Sequence, residues 1–221
     1  GSCSLSSREL LGYNRGVSRS MKETCLRRKT VYAGSAVDFR VDTVLLPNGR
    51  RAPREFLDHP GAVAVVPFLN AQTVVLVRQY RYPVGRVTLE IPAGKLDGRE
   101  GRLSCLKREL REETGYTAGR IKPLLSYWPT PAFANELLHV YVAWDLRPGA
   151  MSPDPDEFLE ALEFPFDKAL DWVLQGKIRD SKTVISLLAC SVLLGRGRLG
   201  PGGRRETDYI KTAPRTSPRA R

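Results

Sequence analysis

Histidine and cysteine are scarce in this 221-residue chain, which has only His59 and His139, and Cys3, Cys25, Cys105 and Cys190. No two cysteines form a C-x-x-C pair, and their spacing suits neither zinc nor a dense disulfide framework. Cys105 and Cys190 fall in helical patterns, as small core or near-core residues. Two histidines argue against a histidine-built metal centre. Any metal site must then come from carboxylates, which favour hard Mg²⁺ or Mn²⁺. Long apolar runs are missing too: none approaches the roughly 20 residues of a membrane span. The opening stretch "GSCSLSSREL" has no apolar core of the kind a secretory signal needs. These absences lead to the expectation of a cytoplasmic protein with no membrane partner.

Charge is plentiful but unevenly placed. The net charge is +11, which invites a nucleic-acid reading. Residues 1–29 carry net +5 and residues 196–221 net +6, so residues 30–195 balance. The positive charge belongs to the ends, and nucleic acid is not expected as a partner. The tail "RGRLGPGGRRETDYIKTAPRTSPRAR" is rich in Gly, Pro and Arg and reads as disordered. A hydrophobic content of 42% allows a real core, and the length suits one domain with a small accessory part.

Between the ends, strand and helix patterns alternate. "VDFRVDTVLL" runs into the Asn-Gly turn signal of "PNG". "GAVAVVPFL" and "TVVLVRQY" are apolar, β-rich runs separated by "NAQ", as in a hairpin, and "VTLEI" is a short strand closed by Pro92. Residues 100–114 are helical, and "LLHVYVAW" is a strand. "FLEALEF" fits strand or helix, with its Phe158, Glu160, Leu162, Phe164 spacing pointing to strand. "FDKALDWVLQ" is a helix stopped by Gly176, and "SKTVISLLACSVLL" a helix stopped by Gly195, with Asp180 or Ser181 as N-cap. Strands mixed with three helices imply an α/β or α+β sandwich around a mixed sheet.

The stretch "GKLDGREGRLSCLKRELREETGY", Gly94–Tyr116, crowds Glu109, Glu112 and Glu113 onto a helix. Like charges at that spacing repel. At roughly 100° per residue, Leu103, Leu106 and Leu110 form the expected buried stripe, with the glutamates immediately beside it. Carboxylates at the edge of a core need a neutralising cation. Arg108 offsets part of the charge and orients one carboxylate, but it cannot neutralise three. Divalent ions can, and Mg²⁺ combines one or two carboxylates with substrate phosphate oxygens. The sequence therefore points to a metal platform for a phosphate-bearing substrate.

This stretch resembles the Nudix box, G-x5-E-x7-R-E-U-x-E-E-x-G-U with U a bulky apolar residue. Gly94, Glu100, Arg108, Glu109, Leu110, Glu112, Glu113, Gly115 and Tyr116 fill its specified positions. The resemblance implies an α/β/α sandwich with a mixed sheet in which the box is a loop–helix–loop, and hydrolysis of a nucleoside diphosphate linked to another moiety. It implies two or three Mg²⁺ ions, with Mn²⁺ as an alternative, held chiefly by Glu109 and Glu113. Glu112 and the Ala93 carbonyl assist, and Glu100 and Arg108 support.

Flanking segments narrow the resemblance. "VRQYRYPVGRVTLEIPAGKLDGRE", "EFLDHPGAV" and "GKIRDSKTVISLL" resemble the ADP-ribose pyrophosphatase and nucleoside-diphosphate-sugar hydrolase branch, as does Pro131, sixteen residues past Gly115. By that resemblance Arg81 grips phosphate, Glu136 sits near the terminal ribose, and Arg54, Glu55 and His59 line the nucleotide pocket. Some of these reach across a homodimer through an exchanged N-terminal sheet. Glu157, in "SPDPDEFLEALEF", stands where the branch carries a catalytic glutamate. Glu157 and Glu112 both remain candidates for general base. Arg78 and Arg81 flank Gln79 and Tyr80 at a strand end and are expected on one side of it, as substrate contacts. Glu90 either binds substrate or pairs with an arginine, and Phe133 is either a substrate contact or core. The expected organisation is a basic, partly disordered arm over 1–29, a small antiparallel β subdomain over 30–60, the hydrolase domain over 61–195 and a disordered basic tail over 196–221. Two departures loosen the tie to ADP-ribose: Ala36 lies near the place of an adenine-stacking aromatic, and Ala132 replaces a common glycine. The alternatives are a non-hydrolytic nucleotide-sugar sensor and an RNA-cap hydrolase using the basic ends.

Overall fold

The computed structural model describes residues 21–97, 100–196 and 199. Most of both basic ends therefore lies outside the described residues. The chain divides into two compact units, Gly1–His59 with Thr130–Asn135, and Pro60–Pro129 with Glu136–Arg221.

The first unit is a four-stranded antiparallel sheet: β1 (Thr24–Arg27), β2 (Thr30–Ala33), β3 (Asp38–Leu45) and β4 (Arg51–Asp58). β1 and β2 share one edge of β3, and β4 runs along the other from Leu45↔Arg51 to Asp38↔Asp58. The Asn-Gly signal makes the β3–β4 turn, where Leu46 N–H donates to the Arg50 carbonyl at 2.8 Å and Gly49 takes φ +83°. β4 was not legible because Pro53 and four charged residues, Arg51, Arg54, Glu55 and Asp58, break its pattern. Proline is tolerated there because β4 pairs with β3 alone around Pro53, the bridge on its other edge lying further along at Leu57↔Ala134.

The second unit holds a seven-stranded sheet: β5 (Ala62–Asn70), β6 (Thr73–Arg81), β7 (Arg86–Glu90), β8 (Ala93–Lys95), β9 (Thr117–Tyr127), β10 (Leu138–Arg147) and β11 (Leu159–Pro165). Its helices are α1 (Arg102–Thr114), α2 (Phe166–Leu174) and α3 (Ser181–Gly195). β5 and β10 are parallel and the other pairs antiparallel. Along β5, Ala62, Ala64, Val66 and Phe68 pack with Phe166 and Ala169 of α2 and Leu187 and Cys190 of α3. The intervening Val63 and Val65 pack with Cys105, Leu106 and Leu110 of α1. Helices thus cover both faces, which explains why "GAVAVVPFL" is apolar at every position rather than alternating. The architecture is the expected α/β/α sandwich around a mixed sheet.

The hairpin of β5 and β6 opens to build the site. The two strands pair only near its tip, at Phe68↔Val74 and Asn70↔Thr73. Beyond that, β7 takes the free edge of β6 from Val77↔Glu90 to Arg81↔Arg86, and β8 takes the free edge of β5 from Ala62↔Lys95 to Ala64↔Ala93. The bend Ile91–Pro92 lies in the split, where the Pro92 carbonyl accepts from Val65 N–H at 3.0 Å. It leads into β8, which precedes α1 in the chain.

Two sequence expectations need correction. Leu103 is 51% exposed; the buried face of α1 is Cys105, Leu106, Leu110, Glu113 and Thr114. On a helical wheel Glu113 falls inside that arc rather than beside it. Reading the leucines alone rotated the stripe, because the small Cys105 and a buried carboxylate occupy its other half. Strand β9 was also missed. Pro123 interrupts it, and the β9–β10 register shifts between Val140 and Tyr141, beside the proline.

Candidate active site

α1 begins after Gly101 and ends at Gly115, which takes φ +73° as the left-handed cap. Its carboxylates face the β7–β8 bend. Glu113, 3% exposed, accepts from Ala93 N–H at 3.0 Å. Burial pushes the Glu113 carboxyl up to about 8; the Ala93 N–H opposes that, the charges of Glu109 and Glu157 add to it, and Lys182 counters. Burial raises Glu109 as well, with Glu112 and Glu157 adding and Arg108 opposing. Glu157, from the segment before β11, therefore lies within electrostatic reach of both.

Arg108 organises the outer carboxylates. Its guanidinium contacts Glu100 at 3.1 Å and Glu109 and Glu112 at 2.8 Å each. Glu100 first, then Glu112 and Glu109, hold its charge more firmly than usual. Gly94 is needed for room, not for φ: a Cβ there would stand 1.9 Å from the Glu109 carboxylate. The end of α1 is tied to the Glu157 segment, since Ser152 N–H donates to the Glu112 carbonyl at 3.1 Å.

A second cluster surrounds Glu90, 1% exposed at the end of β7. Arg81 grips it with two bonds, Nε to Oε1 at 2.9 Å and Nη2 to Oε2 at 2.8 Å. Thr88 Oγ1 donates to Oε1 at 2.6 Å, and Lys182 Nζ bonds Oε2. Burial alone would raise Glu90, but Arg81, Lys182 and Thr88 hold it at about 2. Arg81 in turn feels the charges of Glu90, Asp180 and Glu113, which links the two clusters. Glu136 lies within electrostatic reach of Tyr127, whose phenol is raised by burial first and then by Asp180 and Glu136.

The arginines differ from expectation. Residues three apart on a strand face opposite sides, and Arg78 and Arg81 take different partners accordingly. Arg78 pairs with Glu160 at 2.6 Å, both more than half exposed, whereas Arg81 pairs with Glu90. Within the first unit, Arg54 bonds Glu23 with Nε at 2.8 Å, Glu55 is exposed, and the His59 N–H donates to Asn135 Oδ1 at 2.7 Å. Phe133 is 55% exposed, so it is not core. Sequence reasoning missed Lys182 and Thr88. Lys182 did leave a signal: it is the single charged residue of Ser181–Gly195 and stands in the first turn, where the helix dipole disfavours a cation.

Among the described residues no three acidic, imidazole or thiol groups already converge into a metal cage. Arg108 draws Glu109 and Glu112 while Ala93 holds Glu113. The donor set nonetheless fits a hard divalent cation. Its ligands are oxygens, and Glu109 and Glu113 are disfavoured as anions until a counter-charge arrives.

A NUDIX domain model matches residues 58–186. The chain belongs to the Nudix family. Its Nudix box is the Gly94–Tyr116 stretch, and Gly94, Arg108 and Gly115 now have physical reasons for their identity. The chain is 42% identical over 169 residues to the methanol dehydrogenase activator of Bacillus methanolicus, covering 75% of this chain and 91% of the relative. It is 37% identical over 172 residues to the ADP-ribose pyrophosphatase of Bacillus subtilis, covering 76% and 92%. It is 37% identical over 149 residues to the GDP-mannose pyrophosphatase of Escherichia coli O139:H28, covering 62% and 76%. In fold it is similar to a crystal structure of an ADP compounds hydrolase, with a TM-score of 0.70 at 24% identity, over 82% of this chain and all of that one.

Proposed function

We propose that this Nudix hydrolase cleaves the pyrophosphate bond of ADP-ribose or a related nucleoside-diphosphate sugar, giving a nucleoside monophosphate and a sugar phosphate. The observation that carries the reading is the buried Glu113 carboxyl at the β7–β8 bend, within electrostatic reach of Glu109 and of Arg81. Pyrophosphatase relatives at 37% identity support the substrate class.

Glu109, Glu112, Glu113 and Glu157, with the Ala93 carbonyl, would hold Mg²⁺. Bound there, such cations would draw charge from the diphosphate and acidify a water. The chain's own residues do the rest. Arg81 presents its unused guanidinium edge to a phosphate. Arg108 keeps Glu109 and Glu112 oriented, while Glu90 and Thr88 orient Arg81. Glu157 takes the proton from the attacking water at a carboxylate oxygen; Glu112 is less suited because Arg108 Nη1 holds it at 2.8 Å. A bond forms from water oxygen to phosphorus, the bridging P–O bond breaks, and the sugar phosphate or nucleotide leaves.

The remaining assignments belong to the same reading. By the family resemblance, Arg54, Glu55 and His59 are proposed as nucleotide contacts, Phe133 as a substrate contact, and Glu136 as a residue near the terminal ribose. The protein works as a homodimer, which the exposed Leu26, Val31 and Tyr32 of β1 and β2 support; light scattering of the purified protein tests it. No helix among the described residues is long and apolar enough to cross a membrane. A second reading comes from the 42% identical relative named as an activator, in which nucleotide binding serves another enzyme. Incubation with ADP-ribose, ADP-glucose and GDP-mannose, with and without Mg²⁺, decides: Mg²⁺-dependent monophosphate release supports hydrolysis, and tight binding without product supports the second reading.

A further inference from the structure

Lys182 sits where a cation is least expected. It opposes the dipole of its own helix, and its side chain is only 14% exposed. Docking of α3 does not need it. Thr183 Oγ1 accepts from Ile91 N–H at 2.9 Å, while Asp180 Oδ2 accepts from Thr183 N–H at 3.0 Å and from the Thr183 hydroxyl at 2.6 Å. Both Thr183 and Ile91 are fully buried. An apolar side chain of similar length would fill the space without the desolvation that a near-buried ammonium suffers.

What the ammonium adds is a second cation on Glu90. Lys182 Nζ bonds Glu90 Oε2 and is steadied from the other side by Asp180 Oδ1 at 3.0 Å. Glu90 thereby has both oxygens doubly engaged: Arg81 and Thr88 on one, Arg81 and Lys182 on the other. With Arg81 as its sole counter-ion, the buried carboxylate would draw in that guanidinium and spend its charge. Shared with Lys182, it fixes Arg81 through Nε and Nη2 and leaves Nη1, on a side chain 45% exposed, positive and unused by Glu90.

We propose that Lys182 is a positioning residue for substrate. By sharing Glu90 it sets the orientation and residual charge of Arg81, which then meets the substrate's diphosphate. This rests on the diphosphate reading above. The test compares Lys182→Met and Lys182→Arg, each in the natural and the Arg81→Ala backgrounds. It reads kcat and KM for ADP-ribose, the Kd of its non-hydrolysable methylene analogue by calorimetry, and Tm. The expected result is that K182M raises KM and Kd about tenfold or more with kcat changed less than about threefold. K182R recovers most of the loss, and K182M adds nothing once Arg81 is gone. If K182M fails to fold, K182Q carries the comparison. The proposal is overturned if K182M lowers Tm while KM and Kd stay unchanged, or if it weakens binding as much without Arg81 as with it. Calorimetry needs no turnover, so a protein that binds the analogue but hydrolyses nothing would overturn the hydrolytic reading and leave the Lys182 comparison readable.

Discussion

Glu113 is buried within the apolar face of its helix, and burial drives its carboxyl up to about 8. The consequence for stability has a definite sign. A carboxyl with a raised folded pKa binds its proton more tightly in the folded state. Between about 4.5 and 8 the unfolded chain loses that proton first, so stability falls as pH rises. A divalent cation favours the carboxylate and reverses the penalty. Thermal melts in EDTA should show declining Tm from pH 5 to pH 8, and added Mg²⁺ should raise Tm more at pH 8 than at pH 5. Glu90 behaves oppositely: held at about 2, its contribution is present above the ordinary carboxylate range and lost as pH falls through about 2. Gly94 gives a steric prediction. A methyl at that position collides with the Glu109 carboxylate at 1.9 Å, and the carboxylate, at the end of a flexible side chain, must move. Gly94→Ala should weaken Mg²⁺ affinity about 10- to 100-fold by titration calorimetry, the scale seen when the support of a metal ligand is disturbed.

The elements that carry the site were legible to different degrees, for physical reasons. The β5–β6 hairpin and helix α1 showed themselves through valine-rich apolar runs and a helical leucine spacing. The opening of that hairpin did not, because it depends on β7 and β8 competing for its edges, a long-range choice. Strands β4 and β9 hid behind Pro53 and Pro123. The glutamates were readable as a cluster, but their burial was misjudged by the breadth of one leucine. Lys182 was visible as an isolated charge, and its partner Glu90, 92 residues away, was not. The junction of α1 with the Glu157 segment gives an element-level prediction. Gly115 and Gly176 both take left-handed φ, +73° and +67°. A Cβ at Gly115 meets the Gly149 carbonyl at 2.6 Å, whereas one at Gly176 meets nothing within 4 Å. Alanine at either site should cost about 1–2 kcal/mol in denaturant unfolding from backbone strain. Only Gly115→Ala should also lower kcat, because it displaces the segment leading to Glu157. Glu157→Gln should lower kcat about 10²- to 10⁴-fold, as expected for loss of a general base.

Across the whole molecule, charge is segregated: the net +11 resides in the two ends while residues 30–195 balance. The chemistry described here needs none of that terminal charge. Deleting residues 200–221 should leave kcat/KM for a small nucleotide sugar within about twofold at 0.1 M salt, since that segment holds none of the residues assigned to metal or substrate and charges more than about 10 Å apart are screened. A protein built to act on RNA through those ends would lose activity instead. In the proposed function the acidic face of α1, at the mouth of the opened hairpin, holds divalent cations against a diphosphate so that water can cleave it. The direct measurement is Mg²⁺-dependent release of nucleoside monophosphate from ADP-ribose by the natural protein and by the Glu112→Gln, Glu113→Gln double variant, both verified as folded. The natural protein should turn ADP-ribose over, and the double variant should lose at least about 10²-fold. Equal turnover by the two proteins would contradict the proposed function.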